Sequence, residues 1–153
     1  GGGKVVQIVR TDYKTAASTT TTFTERLTTI PQNTLGGEFM TATIVPIATS
    51  NILYFYINMT CMGNGDGRTV YAALFVDSTA NALASSANML QSTDPATINF
   101  THSMAVPSTS SQVYKVRAGA GTGSFYINQR HTEAFHGGVA SSGLTIIEYT
   151  PPA

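Results

Sequence analysis

Three histidines, His102, His131 and His136, and eight carboxylates are the side chains of this 153-residue sequence best suited to moving protons or holding a metal. His131 and His136 stand five apart with Glu133 between them, a combination of donors that invites zinc. A helical chelate needs an i, i+4 pair, and Gly137-Gly138 directly after His136 reads instead as a solvated loop. Gly63-Asn64-Gly65-Asp66-Gly67 offers amide and carboxylate oxygens to calcium, but it holds one carboxylate and lacks the closing Glu of the calcium loop. Asn-Gly and Asp-Gly tolerate positive φ, so this stretch is expected to be a hairpin turn. No metal and no cofactor are expected.

Catalysis finds little support. The many serines never fall into a Gly-x-Ser-x-Gly elbow, and no order of base and orienting acid accompanies His102 or His131. Two carboxylates converging across a cleft would define a glycosidase, and the eight acids are scattered over the whole chain. Gly119-Ala120-Gly121-Thr122-Gly123 is followed by a strand pattern where a phosphate-binding loop would open a helix. Cys61, the single cysteine, lies in the apolar run Leu53 to Met62 and reads as a small buried hydrophobe. The sequons Asn58-Met59-Thr60 and Asn99-Phe100-Thr101 fall inside strand patterns. The expectation is a protein that is not an enzyme.

Lys and Arg number eight, as do Asp and Glu, so no long-range field draws the chain to nucleic acid or an anionic membrane. Charged residues make up 10% of the sequence while Thr and Ser number 24 and 13, so hydroxyls supply most of the polar surface. No apolar run approaches the length of a membrane span, and Gly1 to Lys4 is not the basic start of a secretory signal.

These groups must be carried by strands. Leu53, Phe55, Ile57, Met59 and Cys61 alternate with Tyr54, Tyr56, Asn58 and Thr60, so Ile52 to Met62 is a strand with large side chains on both faces, both expected to be covered. Thr69 to Asp77 alternates likewise, and Ile98 to Val106 puts Ile98, Phe100, His102, Met104 and Val106 on one side. Val5 to Val9, Thr20 to Arg26, Glu38 to Val45, Gln112 to Ala118, Ser124 to Asn128 and Ser142 to Tyr149 complete the set. Ala80 to Gln91 lacks sustained helical spacing and reads as a long connection or a single turn. The fold expected is all-β, a jelly-roll-like two-sheet β-sandwich of about eight or nine strands. Lys115 and Arg117 share a strand face, where cross-strand ion pairs with Glu148, or with Glu133 near Arg130, are expected.

Tyr114-Lys115-Val116-Arg117-Ala118-Gly119 leads through Gly121 and Gly123 to Phe125-Tyr126-Ile127-Asn128, and Phe135-His136-Gly137-Gly138 leads to Leu144-Thr145-Ile146-Ile147-Glu148-Tyr149. With Gly1 to Val9, Thr29 to Thr34 and Ala73 to Ala84, these segments make nearly the whole chain resemble a family of β-rich domains of bacteriophage tail fibres and other virion proteins, found mostly at their C-termini. The motifs are structural and carry no catalytic residue. The resemblance implies a homotrimer located in the virion, on the phage tail or surface, released by lysis without a signal peptide. Residues 1–4 would then be a glycine-rich connector from a fibrous region and residues 5–153 a single β-sandwich domain. It further implies a non-enzymatic terminal domain for host attachment, binding a polysaccharide or protein receptor. The alternatives are a capsid decoration or tail-assembly protein docking on other virion proteins, and a carbohydrate-active enzyme domain. Receptor binding is expected in two polar loops, through Asn64, Asp66 and Arg68 of the hairpin and through Arg130, His131 and His136. Tyr54, Tyr56, Tyr71 and Tyr126 stand where the family more often has aliphatic or small residues, and read as a subunit contact or a platform for sugar rings.

Overall fold

The computed structural model describes residues 2–24, 28–64, 69–90 and 95–153. They form twelve strands: β1 Lys4–Tyr13, β2 Ala17–Thr19, β3 Gly37–Ile44, β4 Ile52–Asn64, β5 Thr69–Val76, β6 Ala84–Met89, β7 Ala96–Ala105, β8 Gln112–Ala120, β9 Ser124–Ile127, β10 Gln129–Arg130, β11 Glu133–Ala134 and β12 Ser142–Thr150. The helical content among these residues is one 3-10 turn, Phe135–Gly138.

Every pairing is antiparallel. One sheet runs β1-β12-β4-β7, with β9 and then β2 continuing beyond β12 along the same edge of β4; the other runs β3-β8-β5-β6. Counting only the eight strands of six residues or more, the orders are 1-8-3-6 and 2-7-4-5. Strands from both ends of the sequence therefore lie side by side, and the result is a jelly-roll-like β-sandwich.

Alternation explains the core. Leu53, Phe55, Ile57, Met59 and Cys61 of β4 are buried, facing Met40, Ala42 and Ile44 of β3, Val70, Ala72 and Leu74 of β5, and Tyr114 and Val116 of β8. Each large side chain so buried contributes about 2 kcal/mol against leaving it in water. Phe55 and Tyr114 meet across the sandwich with ring centroids 4.6 Å apart. The opposite face of β4 is not covered as the sequence led us to expect. Tyr56 stays 41% exposed, and Ile8 of β1, in register with Tyr54 through Ile147 of β12, is 62% exposed.

Two elements differ from the sequence expectation. Residues 20–24 form no strand; only Ala17–Thr19 pairs, with Phe125 to Ile127 of β9, and Glu25 and Arg26 lie outside the described residues. The chain turns there to cover the outer face of the second sheet. Phe23 N donates to Ala120 O at 2.9 Å, and its ring stacks on Tyr71 at 5.5 Å over Ala73 and Phe75. Burial of one aromatic ring overrides the strand propensity of a threonine run. The second difference is β6, which lies in the segment read as a connection. Its Ala, Ser and Asn have low strand propensity, and pairing with β5 from Leu74↔Ala84 to Thr69↔Met89 supplies the order.

Candidate functional site

The strand register divides the loops between two poles. Lys4 pairs with Thr150, and Tyr149 pairs with Ile52 at the start of β4, so both chain ends sit at one pole. Asn64, at the other end of β4, pairs with Ser124 of β9. At about 3.3 Å per residue, the thirteen residues of β4 set the two poles roughly 40 Å apart.

Asn64 lies at the second pole, and the segment from Gln129 to Gly138 leaves β4 beside Thr60, toward it. Tyr126, paired with Met62, carries the ring of His131 edge-on at 5.6 Å. β10 and β11 form a small hairpin in which Arg130 faces Glu133 and His131 opens the turn at φ 53°. His136 follows in the 3-10 turn at φ 50°, its ring 6.4 Å from that of Phe135. Arg130, His131 and His136 are exposed, and Asn64 is half-buried. Asp66 and Arg68, the other two expected site residues, lie outside the described residues. Of the six expected residues, the structure places Asn64 at the end of β4 and Arg130, His131 and His136 in the excursion that leaves β4 beside Thr60, four residues before Asn64.

What holds this excursion in place is a residue the sequence did not single out. Asn128 is 1% exposed and adopts φ 57°, a left-handed conformation that asparagine tolerates better than most residues. Its Nδ2 donates to the carbonyls of Tyr13 at 2.8 Å and Thr15 at 3.2 Å, and its Oδ1 accepts from Ser142 Oγ at 2.8 Å. Ser142 Oγ in turn accepts from Thr60 N, while Asn128 N donates to Thr60 O. The peptide of Asn128 also accepts from Phe135 N at 3.0 Å, closing the excursion on itself. Asn128 ties three strands and the loop together, its side chain reaching β1 and β12 and its backbone β4 and Phe135, and among the described residues three of the four non-glycine residues with positive φ are Asn128, His131 and His136. The sequence signal was an asparagine directly after a strand.

The charged strand face differs from the expectation. Arg117 donates to the carbonyls of Leu35 at 2.9 Å and Gly36 at 2.7 Å, and Lys115 Nζ lies 4.0 Å from Glu38. Neither reaches Glu148 or Glu133, because β8 belongs to the second sheet and its outward residues meet the chain laid over that sheet. Of the four tyrosines, Tyr71 is covered by Phe23 and Tyr126 meets His131, which leaves Tyr54 and Tyr56 on the open face.

Glu148 is instead fully buried at the pole of the chain ends. Its carboxylate accepts from Gln7 Nε2, from Asn51 Nδ2 at 2.8 Å, from Ile47 N at 2.8 Å and from Ala48 N at 3.2 Å. Burial pushes its pKa up, and the hydrogen bonds from Asn51, Gln7, Ile47 and Ala48 together outweigh that and hold it below the usual glutamate value. Cys61 is buried in the core with its thiol pushed up to about 12. Burial lowers the pKa of His102, whose ring lies 6.0 Å from Phe55.

Among the described residues no three His, Cys, Asp or Glu side chains are grouped closely enough to hold a metal. A shallow cleft of about 280 Å³ is lined by Thr29, Ile30, Gln32, Thr34 and Leu35, which bring no titratable group to it. Among the described residues no helix is long and apolar enough to cross a membrane. No family model matches the chain, and no curated protein matches it.

Proposed function

We propose that this protein is a non-enzymatic terminal domain of a phage tail fibre or similar virion appendage, acting as a homotrimer that attaches to the host surface. The observation that carries this reading is the separation of the poles. Both chain ends lie beside Ile52, while Asn64 lies at the opposite end of β4 and the Arg130 to His136 excursion leaves β4 beside Thr60, toward that end. A domain held by a shaft at one pole presents its polar loops at the other. The resemblance to phage fibre domains supplies the class of partner, a bacterial surface polysaccharide or protein. The open face around Ile8 and Tyr56 supports assembly, since a symmetric oligomer buries apolar surface that a monomer leaves in water.

With no net charge, affinity comes from short hydrogen bonds multiplied by valency. The test is binding of the labelled protein to bacterial cells, with Arg130→Ala/His131→Ala and Asn64→Ala/Arg68→Ala compared after assembly is checked. Loss of binding in either pair supports attachment through this pole. Unchanged binding by both pairs removes it.

A further inference from the structure

We infer that the outward face of the first sheet carries a binding site for a neutral sugar chain, with the ring of Tyr56 as its platform and the guanidinium of Arg10, laid over Gly143, as its fixed donor. The site lies on the side of the domain, apart from the loops at the pole, and rests on the attachment reading above only for the kind of surface the domain meets.

Strand register arranges this face in rows. Arg10 of β1 stands beside Thr145 of β12, Thr145 beside Tyr56 of β4, and Tyr56 beside Thr101 of β7. In the next row Asp12, Gly143, Asn58 and Asn99 follow in the same order. On the other side of Tyr56 the rows of β1, β12 and β4 are apolar, Ile8 with Ile147 and Tyr54, then Val5 with Tyr149 and Ile52. The face therefore changes from apolar to hydrogen-bonding at Tyr56, which is 41% exposed. The apolar rows at Val5 and Ile8 are the part that assembly covers, and the polar rows lie beyond them. With strands about 4.8 Å apart and same-face residues about 6.7 Å apart along a strand, the two polar rows span roughly 14 Å by 7 Å.

Arg10 is held in place on this patch. Its Nε donates to Asp12 Oδ1 at 2.8 Å and its Nη1 to Thr145 Oγ1 at 2.6 Å. The fork rests where a side chain at residue 143 would begin: a Cβ there would stand 2.7 Å from Cζ and 2.9 Å from Nη1, and closer still to Nη2. Gly143 is buried beneath it. A planar fork already anchored at two points gives up little freedom when a ligand arrives. Asp12 brings carboxylate oxygens, and Asn58 and Asn99 each bring an amide that both donates and accepts.

These groups select the occupant. Arg10 and Asp12 are the charged residues that alternation turns outward on β1, β12, β4 and β7 among the described residues, and they pair with each other. An anion approaching Arg10 meets Asp12 as well. A hydrocarbon chain would strip water from Arg10, Asp12, Asn58 and Asn99 and return no hydrogen bonds, at a cost of about 1–3 kcal/mol for each group left unsatisfied. A neutral sugar ring satisfies both halves of the patch. Its C–H face lies on the Tyr56 ring, and its adjacent hydroxyls, each donor and acceptor, meet the Arg10–Asp12 pair and the two amides.

The test is a nuclear magnetic resonance titration of the isotope-labelled full chain with neutral hexasaccharides of glucose, galactose and mannose, and with a galacturonic acid oligomer as the anionic control. Each probe is carried to about 10 mM, above the millimolar dissociation constant of a weak single contact. The amide signals of Tyr56, Asn58 and Thr145 should shift with at least one neutral probe and stay in place with the anionic one. Gly143→Ala puts a methyl group under the guanidinium, whose flexible stem swings aside without loss of any polar group. It should weaken binding about tenfold at a nearly unchanged thermal midpoint, as should Arg10→Ala, and Tyr56→Ala should abolish the shifts. No shift with any neutral probe overturns the inference, as does tighter binding of the acidic oligomer or binding that survives both Gly143→Ala and Tyr56→Ala. Shifts confined to Asn64 and the Arg130 to His136 segment overturn this site and support the pole. A mass by light scattering that falls in Tyr56→Ala, with no probe bound by the wild type, shows a second copy on the patch and also overturns it. Cell binding by the pole variants is read separately, so the attachment reading and this site fail independently.

Discussion

Asn51 Nδ2 donates to Glu148 Oε1 at 2.8 Å between two side chains that are 4% and 0% exposed. Glu148 has no Lys or Arg within ion-pair distance among the described residues; neutral donors alone stabilise its charge. Those donors are Gln7 of β1, the amides of Ile47 and Ala48 and the side chain of Asn51, so the carboxylate ties the chain ends to the loop that follows β3.

Replacing Glu148 by Gln turns one acceptor oxygen into a donor facing other donors. A loss of about 3 kcal/mol is expected, read from the midpoint of urea unfolding. Tyr149 and Ile52 should lose amide protection with it in hydrogen exchange. A change below 1 kcal/mol would show that water replaces the lost acceptor at no cost.

Acid should destabilise the protein in a defined order. His102 has a folded pKa lowered by burial, so its contribution is present above the ordinary histidine value and declines as pH falls through the lowered one. Glu148 has a folded pKa held below the ordinary glutamate value, so its contribution is present above that value and is lost as pH falls through the folded one. Thermal midpoints measured from pH 7 to pH 3 should fall, and the fall below the glutamate range should flatten in Glu148→Gln.

Asn128→Ala removes bonds to Tyr13, Thr15 and Ser142 and places alanine at φ 57°. It should cost about 3 kcal/mol and expose the Gln129 to Gly138 excursion to proteolysis. Asn128→Gly relieves the backbone and keeps the other losses, so it should fall between wild type and alanine. Equal stability of the two variants would mean the left-handed conformation contributes nothing.

Gly119→Ala places a Cβ 3.0 Å from Phe23 Cβ and 3.1 Å from Gly36 Cα, where backbone must move. It should cost about 2 kcal/mol, and Phe23→Ala about 3 kcal/mol, by removing the ring stacked on Tyr71. Because both changes loosen the same segment, the double variant should cost less than their sum in a thermal-unfolding cycle.

Cys61 should resist thiol reagents in the native protein and react on unfolding. Labelling faster than global unfolding, followed by mass spectrometry, would show that β4 opens locally.

The sequence by itself determined that β4 is a strand, because Leu53 to Cys61 alternate with Tyr54 to Thr60 and a period of two needs no knowledge of neighbours. Glu148 follows Leu144 and Ile146 at the same spacing and is buried with them, in place of the cross-strand ion pair with Lys115 or Arg117 expected from its charge. The loop at His136 was legible from Gly137-Gly138, whereas the hairpin expected at Gly63 to Gly67 begins with two residues of β4 and otherwise lies outside the described residues; that His131 lies toward the Asn64 end of β4 follows from the Asn64↔Ser124 and Met62↔Tyr126 register, which no local pattern encodes. Tertiary structure alone decided β6 and the path of residues 20–24. Ala84 to Met89 have weak strand propensity and are ordered by hydrogen bonds to β5, and Phe23 leaves a β-prone threonine run because its ring is buried on Tyr71. Both outcomes depend on partners about ten to fifty residues away, and long-range burial outweighs the fraction of a kcal/mol that separates local conformations.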